Sequence, residues 1–146
     1  MLARLQGFLS GGAKRLNGNT DMLEGVAAAI VLTGAADGDF DDAEAQTGLD
    51  RLLGHDVLSA AFKPNEIEAA FDKQANRARQ GLSGKLALKR EIADVKGKCS
   101  ADDCEMLLVI ACDVALSDGD VSAPERKALD DIGKSLGLQV DRYLDA

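Results

Sequence analysis

The residues best placed to do chemistry in this sequence are carboxylates gathered at two short elbows. One octet, Asp37-Gly38-Asp39-Phe40-Asp41-Asp42-Ala43-Glu44, is echoed 81 residues later by Asp118-Gly119-Asp120-Val121-Ser122-Ala123-Pro124-Glu125. Both copies read acid-Gly-Asp-apolar-(Asp/Ser)-x-x-Glu. Carboxylate oxygens at this density suit a hard divalent cation, Ca²⁺ or Mg²⁺, or a Lys/Arg partner. The candidate metal ligands are Asp37, Asp39, Asp41 and Glu44 in the first copy, and Asp118, Asp120 and Glu125 in the second. Ser122 stands where the first copy has Asp41, so the two copies differ in charge.

A purely structural explanation accounts for part of each octet. Asp41-x-x-Glu44 and Ser122-x-x-Glu125 both match a capping box, in which an N-cap oxygen and an N3 carboxylate satisfy free backbone amides. Gly38 and Gly119 suit a left-handed residue that stops the preceding helix, and Pro124 fits a first helical turn. Capping leaves Asp37 and Asp118 unexplained. A carboxylate in the last turn of a helix faces the negative end of the dipole, at a cost of about 0.3–1 kcal/mol when exposed.

The spacing is not that of an EF-hand, which needs Gly at its sixth loop position and Glu at its twelfth. Counting from Asp37, those places hold Asp42 and Gly48, and the twelfth of the second copy is Leu129. A cation site here is weaker, or shared between the elbows. There is no P-loop, no GxGxxG and no HExxH, and His55 is the only histidine. The motif content therefore predicts a non-enzymatic protein, although paired carboxylates are capable of acid–base work.

Helices must position these elbows. Apolar residues from Met22 to Val31 recur at helical spacing, with Thr20 as the expected N-cap, and run through Ala35-Ala36 into the first octet. The pattern resumes through Ala45, Leu49, Leu52 and Leu53 to Gly54. His55 follows as a helix-end or surface residue, with Asp56 or Ser59 capping a short turn to Phe62. Pro64 opens an element carrying Ile67, Ala70, Phe71, Gln74 and Ala75 on one side, with Lys73, Arg77 and Arg79 in its last turns. Gly81 and Gly84 around Ser83 read as a turn. Leu88, Ile92 and Val95 mark a further helix, and Ser100 caps the next.

From Met106 to Leu116 the chain is apolar almost all round, which predicts the most buried helix, interrupted by Asp113. Cys99, Cys104 and Cys112 read as small hydrophobes with reduced thiols. After the second octet, Leu129, Ile132, Gly133 and Leu136 form the last amphipathic helix, and Tyr143-Leu144 close the end. The expectation is an all-α fold: a single compact bundle of about seven helices with an internally duplicated helix–acidic elbow–helix unit. Residues 20–146 form the domain. Residues 1–19 form a mobile amphipathic arm, on which Leu2, Leu5, Phe8 and Leu9 share one face that packs on the domain or touches a partner or membrane surface.

The totals agree with this picture. A chain of 146 residues can sustain its own core, and with 3% aromatics and no Trp that core is aliphatic. The net charge of −8 argues against a nucleic-acid binder. No apolar run is long enough to span a membrane, and the opening residues lack the features of a secretory signal. A cytoplasmic location follows as the expectation.

The octets, with the flanking Ala35-Ala36 and Ala115-Leu116-Ser117 and the tail Ile132-Gly133-Lys134-Ser135-Leu136-Gly137-Leu138, resemble the tellurite-resistance TerB family over about residues 22–140. The resemblance implies an all-helical duplicated fold and a role in tellurite and other stress resistance. It further implies work at the cytoplasmic side of the inner membrane, in a complex with an integral membrane protein and with divalent metal involved. The acidic pairs it carries over are Asp37 with Glu44, and Asp118 with Glu125. An acidic chain repels tellurium oxyanions, so direct contact with them is not expected. The alternative is a structural helical adaptor whose acidic octets are helix caps.

Overall fold

The computed structural model describes residues 16–36, 38, 40–117 and 119–144. Among these residues every regular element is a helix. In order they are α1 (Thr20–Gly34), α2 (Asp42–Leu53), α3 (Asp56–Ala61), α4 (Pro64–Ala78), α5 (Gly81–Lys98), α6 (Ala101–Leu116), α7 (Ala123–Leu136) and the single turn α8 (Asp141–Leu144). The expected all-α bundle is what the chain forms, with α3 and α8 as its short pieces.

Helix α1 is the hub, packing against α2, α4, α5, α6 and α7. From Met22 to Thr33 all its residues but Glu24 are buried. It therefore matches α6, whose interior runs from Cys104 through Ala115, rather than leaving α6 as the single most buried helix. Both helices precede an acidic elbow, and they pack on each other at the centre. Amphipathic helices surround the pair. Ile67, Ala70, Phe71 and Ala75 of α4, Leu88, Ile92 and Val95 of α5, and Leu129, Ile132 and Leu136 of α7 turn inward. Leu16 is fully buried, so the core takes in the end of the segment 1–19. The arm residues Leu2, Leu5, Phe8 and Leu9 lie outside the described residues.

Four local expectations are corrected. The N-cap of α1 is Asn19, whose side chain accepts from the Met22 amide at 3.1 Å, and Thr20 is the first helical residue. Two adjacent residues were both competent caps, and only the path of the chain chooses between them. Gly81 and Gly84 do not form a turn but open α5. A Cβ on Gly84 would come within 1.6 Å of the Arg77 carbonyl oxygen, so this glycine allows the start of α5 to lie against the end of α4. The N-cap position of α3 is His55, and neither Asp56 nor Ser59 fills it. His55 stands at a helix end, as expected, but it is not a surface residue. Its side chain is only 8% exposed, and Nε2 meets Asp113 Oδ2 at 2.8 Å.

The basic residues late in α4 pair with carboxylates instead of serving only the helix dipole. Arg77 donates to Glu91 at 2.9 Å and Arg79 to Asp42 at 3.0 Å, while Lys73 lies 3.8 Å from Glu24. Tyr143 of α8 donates to Glu105 at 2.8 Å, closing the end of the chain onto α6 as expected.

Candidate functional site

Each elbow starts where its helix stops. In the first, α1 ends at Gly34 and Gly38 takes φ +108°, donating its amide to Ala35 O at 3.1 Å. In the second, α6 ends at Leu116 and Gly119 takes φ +96°, donating to Leu116 O at 2.9 Å. Both glycines use the positive φ that their position in the octet predicts.

The caps follow. Asp41 Oδ1 accepts from the Glu44 amide at 2.8 Å. In the second copy the box is reciprocal: the Glu125 amide donates to Ser122 Oγ at 3.2 Å, and the Ser122 amide donates to Glu125 Oε1 at 3.1 Å. Glu125 spends an oxygen on its own helix start, whereas the cap of α2 is made through Asp41.

The two elbows converge on one half-open cavity of about 360 Å³. Its lining respects the internal repeat. Ile30 and Ala111, Thr33 and Val114, Gly34 and Ala115, and Glu44 and Glu125 all face it, and each pair is separated by the same 81 residues as the octets. Asp41 joins them on the wall, and Phe40 covers one side, its ring 6.5 Å from that of Phe71. Of the predicted ligands, then, the fold brings Asp41, Glu44 and Glu125 to one space. Asp120 is exposed and does not line it. Asp37, Asp39 and Asp118 lie outside the described residues.

Arg51 also lines the cavity, and the octets alone do not reveal it. Its signal lies in α2, where Glu44, Thr47, Gly48 and Arg51 fall at i, i+3, i+4 and i+7 and so occupy one helical face. The repeat breaks here, because the position equivalent to Arg51 is the buried Ile132. Among the described lining residues Arg51 is the cation, on the α2 side of the cavity.

Carboxylate oxygens from the two elbows line one space, and oxygen donors are the kind that suit a hard cation. Among the described residues, no three His, Cys, Asp or Glu side chains stand close enough to hold a metal ion. Asp41, Glu44 and Glu125 are by themselves an incomplete ligand set. The two hydroxyls on the wall are occupied locally, Thr33 Oγ1 donating to Ala29 O at 2.8 Å and Thr47 Oγ1 to Ala43 O at 2.9 Å.

Two helix–elbow–helix hairpins thus set acidic elbows around a shared cavity in an all-α module. The chain belongs to the TerB family: the model of "Tellurite resistance protein TerB" matches residues 23–145, a span that includes both elbows and all eight helices except the first residues of α1. It is a tellurite-resistance-associated domain. No curated protein and no solved structure gives a significant match. Among the described residues no helix is long and apolar enough to cross a membrane.

Proposed function

We propose that this chain is a non-enzymatic interaction domain of tellurite and stress resistance that responds to a divalent cation, Ca²⁺ or Mg²⁺. It works at the cytoplasmic side of a membrane-associated complex containing an integral membrane protein. The observation that carries this reading is the convergence of the two elbows: Glu44 and Glu125, equivalent in the repeat, face the same cavity together with Asp41. A cation held between the elbows would draw the two halves together, and Asp37, Asp39 and Asp118 would complete its ligands. A non-enzymatic role is supported by the half-open cavity and by wall hydroxyls bonded to backbone carbonyls rather than to a base.

The test is a titration with Ca²⁺, Mg²⁺, Mn²⁺ and Zn²⁺, followed by amide NMR and thermal melting. Shifts are expected at residues 37–44 and 118–125, with stabilisation of about 2.7 kcal/mol at a hundredfold excess over Kd. Glu44→Gln with Glu125→Gln should abolish that stabilisation. Absence of elbow shifts at millimolar metal would reject the cation. A pull-down from membrane extract, with and without chelator, tests the complex.

The capping bonds favour a second reading, a structural adaptor whose octets only start α2 and α7. It predicts that the parent protein melts at the same temperature with and without metal, while Ser122→Ala alone costs about 1 kcal/mol.

A further inference from the structure

Among the described residues the large hydrophobic side chains that stay exposed are Leu82 at 74% and Leu86 at 50%, both on α5. Lys85 and Lys89 fall at the third and seventh positions after Leu82, so one helical face alternates leucine and lysine. Beside this face lies a cleft of about 510 Å³ between α5, the end of α1 and the start of α7, with Lys85, Lys89 and Lys127 around it. Its floor is apolar: Leu32 and Ala35 are nearly inaccessible there, and Pro124 forms part of the wall.

The charge at this cleft runs against the rest of the molecule. The chain carries −8 overall, yet three ammonium groups face one space with a single carboxylate, Asp131, at its edge. Several cations elsewhere are paired, as Arg77 is with Glu91, Arg79 with Asp42, and Arg126 with Asp130 and Asp141. Among the described residues Lys85, Lys89 and Lys127 have no ion-pair partner, and Asp131 does not neutralise Lys127 one turn away.

We propose that the α5–α7 cleft is a docking site for an acidic amphipathic helix of a partner protein. Its carboxylates would face Lys85, Lys89 and Lys127, while its apolar side chains enter onto Leu32 and Ala35 and lie against Leu82 and Leu86. Charge complementarity sets the sign of the occupant. The recessed apolar floor selects a peptide, because a small anion leaves that floor and both leucines unused, and a flat bilayer does not reach it. Asp131 repels carboxylates from its own end and so fixes the direction of the helix. The inference rests on the reading of the chain as an interaction domain but not on a cation at the elbows, since no elbow carboxylate lines this cleft.

The experiment uses the whole chain, ¹⁵N-labelled, and a panel of synthetic helical peptides with Glu on one face and Leu, Ile or Phe on the other. Controls are the same peptides with Lys for Glu, phosphatidylglycerol vesicles and inorganic phosphate, each in magnesium and in EDTA. Acidic peptides should shift amides of residues 32–36, 82–89 and 123–131. The variant K85E/K89E/K127E should bind them about tenfold more weakly or less, with its far-ultraviolet spectrum and melting unchanged. L82A/L86A should weaken binding several-fold. Equal binding of the Lys peptides, or shifts given only by vesicles or only by phosphate, would overturn the proposal. So would silence at millimolar peptide, and so would binding that vanishes in EDTA, which would move the site to the elbows. Peptide binding that persists where metal produces no elbow shifts would support the cleft while removing the cation.

Discussion

His55 Nε2 and Asp113 Oδ2 stand 2.8 Å apart across 58 positions of sequence, joining the start of α3 to the apolar helix α6. Asp113 is the polar break in that helix, and His55 is what it reaches. The ring is almost wholly enclosed, whereas the Asp113 side chain keeps 36% of its surface exposed. His55 Nδ1 is buried with no hydrogen-bond partner among the described residues, so the ring is held through Nε2.

Removing either partner should destabilise the fold by about 1–3 kcal/mol. His55→Ala belongs at the upper end because it also empties a packed position, and Asp113→Ala at the lower end because water reaches its site. Urea unfolding of both single variants and the double variant measures the coupling. Additive losses would mean that the contact contributes nothing of its own.

A second network ties α4 to α1 and α5. Gln74, fully buried, donates to Glu24 at 2.8 Å and to Glu91 at 3.2 Å, and Arg77 donates to Glu91 at 2.9 Å. Burial by itself raises the Glu91 carboxyl, but hydrogen bonds from Arg77 and Gln74 and the charge of Arg77 hold it below its ordinary 4.5. A depressed carboxyl contributes stability above its unfolded value and loses it as pH falls through the folded one. Arg77→Met should therefore be less stable than the parent near pH 7, by roughly 1–3 kcal/mol. The gap should narrow as pH drops below 4.5. Melting curves from pH 7 to pH 3 check this, and a gap constant with pH would assign the loss to packing.

Gly84→Ala places a methyl group against the Arg77 backbone, where no side chain can yield. The start of α5 must then move away from α4, a change expected to cost about 1–3 kcal/mol or more despite the better helix propensity of alanine. Denaturant unfolding measures it. A neutral or stabilising result would mean that this junction is loose.

Burial pushes the Cys112 thiol up to about 12, against the nearby charge of Arg126 and with a further push from Asp113. Burial also raises Cys99 and Cys104, in both cases with the Asp103 charge adding to it. A raised thiol leaves stability intact below the unfolded value of 9.0 and lowers it as pH climbs toward 12. Iodoacetamide at pH 8 should modify the half-buried Cys99 first and leave Cys104 and Cys112 until the chain unfolds. Mass spectrometry of native and urea-treated protein gives the order.

The pattern of apolar spacing carried the helices because each buries one stripe against α1 or α6, and period alone reveals such stripes. Ser100, Ser122 and Asp41 were legible as caps for the same local reason. What lay beyond local pattern depended on neighbours far along the chain. The pair of glycines at 81 and 84 reads as a break until the Arg77 carbonyl is set against them. His55 cannot be placed without Asp113. The face Glu44, Thr47, Gly48 and Arg51 was written in α2, but that it meets Glu125 is a property of tertiary packing.

The central pairing of α1 with α6 has a consequence for dissection of the chain. Each of these helices hides part of its greasy surface on the corresponding helix of the other half. A polypeptide carrying just one repeat would leave that surface open to water, and a second identical molecule offers the nearest available cover. Severed repeats should therefore be recovered as twofold dimers rather than as folded single units.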